Sequence, residues 1–257
     1  MDHQRRFGGI ARLYGQVGLA RFSQSHVAVI GVGGVGSWAV EALARSGIGA
    51  LSLFDLDHIA ESNVNRQLHA LEGEFGKAKV VAMAQRVAAI NPGCRVTPVE
   101  AFVEPDSLQP IIQGGFSYVL ECIDNFRVKA AIIATCRRHK IPVITIGGAG
   151  GQRDPTQIRL ADLSRSEQDP LLSRTRKQLR REYGFSANPK RRFDVPCVYS
   201  REQQVYPGSE GAVCLDRPAA IESSLNCGGY GSAMTVTASF GLVAVSYVLK
   251  RLAQTAS

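Results

Sequence analysis

The 257 residues predict an α/β fold: a Rossmann-like, mostly parallel sheet with helices on both faces. Three observations carry this. Short apolar, β-branched runs recur and close on glycine or acidic residues. Segments with helical spacing separate them, and a G-x-G-x-x-G run follows the first strand.

Val27 to Ile30 reads as a buried strand ending in Gly31, and Val35 to Arg45 as the helix that follows. Ala50 to Phe54 is the second strand, and it closes on Asp55 and Asp57. Lys77 to Ile90 places apolar residues on one helix face, and Asn91-Pro92-Gly93 stops it. Arg95 to Val99 is the third strand and Tyr118 to Cys122 the fourth. Asn125 to His139 is a helix and Pro142 to Ile146 a fifth strand. The run Gly147-Gly148-Ala149-Gly150-Gly151 ends this alternation.

Residues 1–151 therefore read as a nucleotide-binding core. Residues 152–257 add a basic crossover segment and a C-terminal α/β extension. In that half Gln157 to Leu160 is a strand, Pro170 to Arg181 a basic helix, and Ser186 to Arg192 an exposed, disordered loop. The length is near the upper limit for one compact core, so the whole is expected to be a single domain.

Net charge is +8, and its excess is local. Arg174, Arg176, Lys177, Arg180, Arg181, Lys190, Arg191 and Arg192 face one acid, Glu182, giving +7 in nineteen residues. Such a patch suits a polyanionic partner. Tyr183, Phe185 and Phe193 lie among these charges, as residues that stack on bases would. Six cysteines without a C-x-x-C pair argue against a disulfide scaffold and a four-cysteine zinc site. With a polar, basic start and no signal peptide, the expected home is the cytoplasm. Ala233 to Leu249 is apolar but short for a membrane span and holds five Gly, Ser and Thr residues. It reads as a buried or dimer-interface helix.

The loop Gly31-Val32-Gly33-Gly34-Val35-Gly36, between strand and helix, is suited to phosphate: Gly31, Gly33, Gly34 and Gly36 let the backbone approach closely, and the helix amino end offers free N–H groups. Asp55 is placed for ribose hydroxyls of NAD, FAD or ATP alike. Arg66 and Lys79, with Asp124 at the end of the fourth strand, narrow the choice. A cation pair and a carboxylate at strand ends serve phosphoryl chemistry, in which the carboxylate holds magnesium, and would be idle in hydride transfer.

With these marks in order, the chain resembles the ubiquitin-activating-type adenylyltransferase superfamily: the glycine loop, Asp55-Leu56-Asp57, Asn63 to Gln67, Lys79 and Asp124-Asn125. The resemblance implies that Asp55, with Asp57 beside it, binds the ATP ribose. It also implies that Arg66 and Lys79 contact the phosphates, that Asn63 and Gln67 shape the site, and that Asp124 coordinates Mg2+. Within the superfamily the full length is similar to the branch of bacterial tRNA threonylcarbamoyladenosine dehydratases, through Arg6-Phe7-Gly8-Gly9, Ala11 to Gly15, Gly147 to Gln152, Gln168 to Leu171, Val198 to Ser200 and Thr235 to Ala238. That branch cyclises a threonylcarbamoyl group on tRNA with ATP. The alternative within the superfamily activates the carboxyl end of a ubiquitin-like or sulfur-carrier protein, and those relatives carry the zinc cysteines missing here.

The resemblance further implies a homodimer in which an arginine reaches the partner's ATP. Gly9 stands at that position, which leaves Arg12 or Arg6 as the replacement, Arg12 being the preferred one. Cys227, between Asn226 and two glycines, is the candidate nucleophile if a thioester forms, although an unremarkable thiol is the simpler reading. A sulfur-transfer protein partner, and a monovalent cation near the carbonyls around Gly147, are left open.

Overall fold

The computed structural model describes residues 2–208, 211–215 and 230–254. In chain order these form α1 (His3–Gln24), β1 (His26–Ile30), α2 (Gly36–Arg45), β2 (Ala50–Phe54), α3 (Lys79–Ile90), β3 (Arg95–Val99), α4 (Gln109–Gln113) and β4 (Tyr118–Glu121). Then come α5 (Phe126–Arg138), β5 (Val143–Ile146), β6 (Ile158–Asp162), α6 (Pro170–Glu182), β7 (Pro196–Ser200), the small pair β8 (Tyr206–Pro207) and β9 (Val213–Cys214), and α7 (Met234–Gln254).

Seven strands make one sheet in the order β3-β2-β1-β4-β5-β7-β6. All neighbours are parallel except β6, which pairs antiparallel to β7. The chain leaves β1 in one direction toward β2 and β3, then crosses to β4 on the other side. The carboxyl ends of β1 and β4 thus border the switch point where open α/β sheets bind ligands.

Alternating side chains give the sheet two cores. Val27, Val29, Leu51, Leu53, Leu120 and Ile144 pack with α2, α3 and α7. Ala28, Ile30, Val119 and Val143 turn to the other face and meet α5 and α6. Strands covered on both faces are continuous apolar runs, which is why β1, β2, β4 and β5 stand out in the sequence. The Ala233 to Leu249 stretch is a core helix: Val236, Phe240, Ala244 and Val248 of α7 are buried against α2 and the sheet. That placement accounts for an apolarity that by length and composition alone would suit a membrane.

The regular alternation ends at the Gly147–Gly151 run and the sheet continues beyond it, where β7 adds to β5 and brings antiparallel β6 with it. Two expectations need correction. The segment 186–192 is a defined turn, in which Asn188 Oδ1 accepts the Lys190 N–H at 2.9 Å and the Asn188 carbonyl accepts the Arg191 N–H at 3.1 Å. Phe193 is 4% exposed and stacks edge-on with Phe185, so it serves the core and is not a platform for bases. Tyr183 and Phe185 pack against the same core.

Beneath the carboxyl ends of β4 and β5 lies a buried ion pair. Lys129 of α5 reaches Glu121 at 2.5 Å, and neither side chain is exposed. Thr145 donates to the same carboxylate oxygen at 2.6 Å, and Lys129 also donates to the Ile146 carbonyl at 2.9 Å. The other Glu121 oxygen accepts the Ile123 N–H at 2.8 Å, which shapes the turn carrying Asp124. Removing one partner strands a charge in the interior. Lys129→Met is therefore expected to lower unfolding free energy in urea by about 3–5 kcal/mol. The double variant Glu121→Leu/Lys129→Met should recover part of that, and an unchanged single variant would show that the pair contributes nothing.

Candidate active site

The site is built outward from the tips of β1 and β2. Gly31 has φ +88°, and its backbone lies against Cys122–Ile123, where a Cβ would be 3.1 Å from the Cys122 carbonyl. At Gly36 a Cβ would fall 1.8 Å from the Gly31 carbonyl oxygen, so glycine alone permits the turn into α2. Asp55 then locks the loop to β2: its carboxylate accepts the Val32 N–H at 2.7 Å and the Asp57 N–H at 2.9 Å. Burial raises the Asp55 carboxyl above the usual carboxylate range, opposed by the Lys79 charge and by these two hydrogen bonds.

Lys79, at the first turn of α3, is 5% exposed and holds Asp57 at 2.7 Å. Asp57 is exposed, so the pair stands at the rim of the site. Asn63 is buried, and its side-chain oxygen accepts the Ala60 N–H at 3.1 Å. Gln67 is buried as well and accepts from His69 at 3.0 Å. Both shape the turn rather than point outward. Arg66 lies across the glycine loop, its stem 3.3 Å from where a Gly34 Cβ would be. Its guanidinium donates to the Ser62 carbonyl at 2.7 Å and to Asn65 at 3.0 Å.

The C-terminal segment secures this turn, a feature that local sequence patterns do not reveal. The Arg66 carbonyl accepts from Trp38 at 3.0 Å and from Thr237 at 3.4 Å. Asn65 donates to the Ser232 carbonyl at 2.7 Å, and its own carbonyl accepts the Met234 N–H at 3.0 Å. The one sequence signal is the Thr235 to Ala238 motif.

Asp124 is exposed just beyond β4, and Asn125 caps α5 by accepting the Arg127 and Val128 N–H groups. The glycine loop, Asp55, Asp57, Arg66, Gln67, Lys79 and the Asp124 turn are thus brought to one edge of the sheet. Arg12 is not: it is exposed on α1, and the contacts described for it stay within that helix.

The basic segment divides. Arg176 is half-buried and donates to Ser166. Arg180 lies over the Phe193 ring at 5.3 Å, and Arg192 pairs with Asp162 at 3.7 Å. Arg181 is held by Gln178 and Glu182. Arg174, Lys177, Lys190 and Arg191 are exposed. Cys227 lies outside the described residues. Burial pushes the Cys94 thiol up to about 11 and those of Cys136 and Cys197 to about 12, and it raises Cys122 further.

A glycine loop at the switch point, an acid on the second strand, and two cations with a carboxylate at neighbouring strand ends define a nucleotide-binding α/β protein of the adenylyltransferase type. The ThiF family model matches residues 5–257, and the chain belongs to that family. It is 51% identical over 251 residues to the tRNA threonylcarbamoyladenosine dehydratase of Escherichia coli, covering 97% of this chain and 94% of that protein. It is 49% identical to the Haemophilus influenzae protein of the same name, covering 98% and 94%. The E. coli enzyme's crystal structure in complex with ATP superposes with a TM-score of 0.87 at 48% identity, covering 97% and 94%.

His69 tests the packing behind the Arg66 turn. It is 3% exposed, and burial, helped by the Lys79 charge, lowers it from its ordinary 6.5 to about 4. The unfolded chain takes up this proton near 6.5 and the folded chain only near 4. The residue's share of stability is therefore whole above pH 6.5 and falls as pH drops through that window, by on the order of 3 kcal/mol. His69→Gln should flatten the decline in unfolding free energy between pH 6.5 and 4; an unchanged slope would assign that decline to other groups.

Proposed function

We propose that the protein uses ATP to cyclise threonylcarbamoyladenosine in tRNA, through an acyl-adenylate of the threonyl carboxylate. What carries the reading is similarity along nearly the whole chain to curated dehydratases, 51% and 49% identical, together with a site of the matching chemistry. The carboxylate attacks the α-phosphate of ATP and pyrophosphate leaves. A carbamoyl nitrogen of the same arm then attacks the activated carbonyl, and AMP leaves with the oxygen that is formally lost as water. This second step is intramolecular, so a large effective molarity replaces an enzyme nucleophile.

Each group has an assigned part. The N–H groups of Gly33 to Val35 and the amino end of α2 receive phosphates, and Asp55 takes the ribose. Arg66 and Lys79 stabilise the charge that grows on the phosphates, so Lys79 must exchange part of its contact with Asp57 for nucleotide. Among the described residues no group of three or more His, Cys, Asp and Glu could hold a metal. A lone exposed carboxylate nevertheless suits Mg2+, which binds through one or two carboxylates plus substrate phosphates. Asp124 would hold it, and it would supply neutralising charge at the phosphates. Arg174, Lys177, Lys190 and Arg191 are the members of the basic patch best placed for the tRNA backbone. The cytoplasm, where tRNA resides, is the assigned compartment.

The test is mass spectrometry of nucleosides after reaction with ATP, Mg2+ and tRNA bearing threonylcarbamoyladenosine. ATP-dependent loss of one water is the expected result, and Arg66→Ala and Asp124→Ala should each slow it about 10²–10³-fold. Pyrophosphate released only with a carrier protein, the tRNA unchanged, would overturn the substrate.

The working form is assigned as a homodimer in which Arg12 reaches the partner's ATP. Leu13 and Val17, beside it on α1, are 73% and 65% exposed, as an uncovered face would be. Arg12→Ala and Arg66→Ala subunits, each inactive alone, should regain activity when mixed and allowed to exchange. Additive inactivity in the mixture would place Arg12 outside the site.

A further inference from the structure

Gln67 carries an unspent hydrogen-bond donor beside the phosphate loop, and the reaction scheme above gives it no part. Its backbone is fixed. The Gln67 N–H donates to the Asn63 carbonyl at 2.9 Å, and the Ala70 N–H donates to the Gln67 carbonyl at 3.2 Å. On either side the chain is tied to the first turn of α2. Trp38 donates to the Arg66 carbonyl at 3.0 Å, and Ser37 Oγ accepts the Leu68 N–H at 3.3 Å. What is left free is the side-chain amide, and a half-turn about its last bond exchanges a donor for an acceptor.

The two ends of that amide meet different surroundings. Its Oε1 faces the buried His69 ring, whose Nε2 is 3.0 Å away. Its Nε2 comes to the glycine loop, 3.9 Å from where a Gly33 Cβ would stand. No described residue accepts from this nitrogen, and it is not one of the buried, partnerless polar atoms of the interior. The amide nitrogen therefore opens onto the space that the loop leaves for phosphate.

His69 decides which way the amide points. An amide oxygen only accepts, so the imidazole nitrogen that faces it carries the proton. The other ring nitrogen, Nδ1, is buried without a partner among the described residues. Burial, helped by the Lys79 charge, lowers the ring from its ordinary 6.5 to about 4, so at neutral pH Nδ1 is a bare lone pair. A reversed amide would set its oxygen against phosphate oxygens, acceptor against acceptor.

We propose that His69 is a positioning residue for the nucleotide: its Nε2–H holds the Gln67 oxygen, so that the Gln67 amide N–H groups donate to an ATP phosphate beside Gly33. The inference rests on assigning the glycine loop to the ATP phosphates, and it does not depend on which substrate ATP activates.

The experiment measures Kd for ATP with Mg2+ by calorimetry on the full-length wild type, His69→Phe, Gln67→Leu and the double variant. Thermal unfolding checks that each is folded, and His69→Leu replaces His69→Phe if the larger ring does not fit. His69→Phe should weaken ATP binding about 3- to 10-fold, the worth of one neutral hydrogen bond. Gln67→Leu should weaken it about 10- to 100-fold, the worth of a bond to a charged group. The double variant should bind no worse than Gln67→Leu, because His69 then has no amide to hold. In turnover, KM for ATP should rise far more than kcat falls, and His69→Gln, which keeps an N–H donor, should restore most of the affinity. Full additivity in the double variant would assign His69 to packing alone and overturn the proposal. Unchanged ATP affinity in a folded variant lacking the His69 donor would overturn it as well, with the loop assignment intact. A wild type that binds no ATP would mean that the loop assignment has failed and takes the inference with it.

Discussion

A Cβ at residue 36 would sit 1.8 Å from the Gly31 carbonyl oxygen, and much of the site depends on that space being empty. Because it is, α2 begins immediately above the end of β1 and its first N–H groups point at the switch point of the sheet. The same kind of close approach recurs one layer out. At Gly241 of α7 a Cβ would lie 2.7 Å from the Val35 carbonyl oxygen. With both contacts made by glycine, α7 lies directly on the start of α2, and Thr237 reaches the Arg66 carbonyl. The last helix of the chain therefore helps to aim a cation that lies 171 residues earlier.

The second organising feature is charge placed under the strand ends. Glu121 and Lys129 are wholly buried, and their mutual hydrogen bonds extend to Thr145 and the Ile146 carbonyl. A buried pair of this kind is weak evidence for stability, since desolvation offsets much of the attraction. Its effect here is on geometry: one carboxylate fixes the turn before Asp124 through the Ile123 N–H, and its lysine fixes the end of β5. One strand further, Asp169 does the same for Gly148 and the start of α6. The glycine-rich turns at this edge are held by carboxylates beneath and beside them, which leaves their outer surfaces available to ligand.

The core was legible where strands are buried on both faces. Runs such as Val27–Ile30 and Ala50–Phe54 are apolar throughout, and Asn91-Pro92-Gly93 ends α3 by local chemistry alone. The site residues at strand tips were legible for a similar reason, since a glycine loop and an acid have fixed places in a β–α–β unit. What escaped was non-local or mixed in composition. α1 contains Gly8, Gly9, Gly15 and Gly18 and a non-helical break at Gly15, which blurs its periodicity. β7 opens on Pro196 after a basic turn, and its partner β5 is fifty residues away. Phe193 looked available because charges flank it in sequence, yet its backbone N–H is held by buried Asp162 and its ring lies under Arg180. Neighbours in sequence did not report neighbours in space.

The proposed chemistry also fits what four of the six cysteines are doing. A thioester route needs an accessible thiolate, and a thiolate is favoured by nearby cations and exposure. Cys94, Cys136 and Cys197 are buried, and burial holds their thiols at about 11 to 12. Cys122, beside the Glu121 carboxylate, is pushed the same way by burial and by that charge. These four serve the interior as small apolar side chains. A substrate that carries its own nucleophile on the activated arm needs none of them. It needs the arm held in one conformation, so that the carbamoyl nitrogen meets the acyl-adenylate before water does.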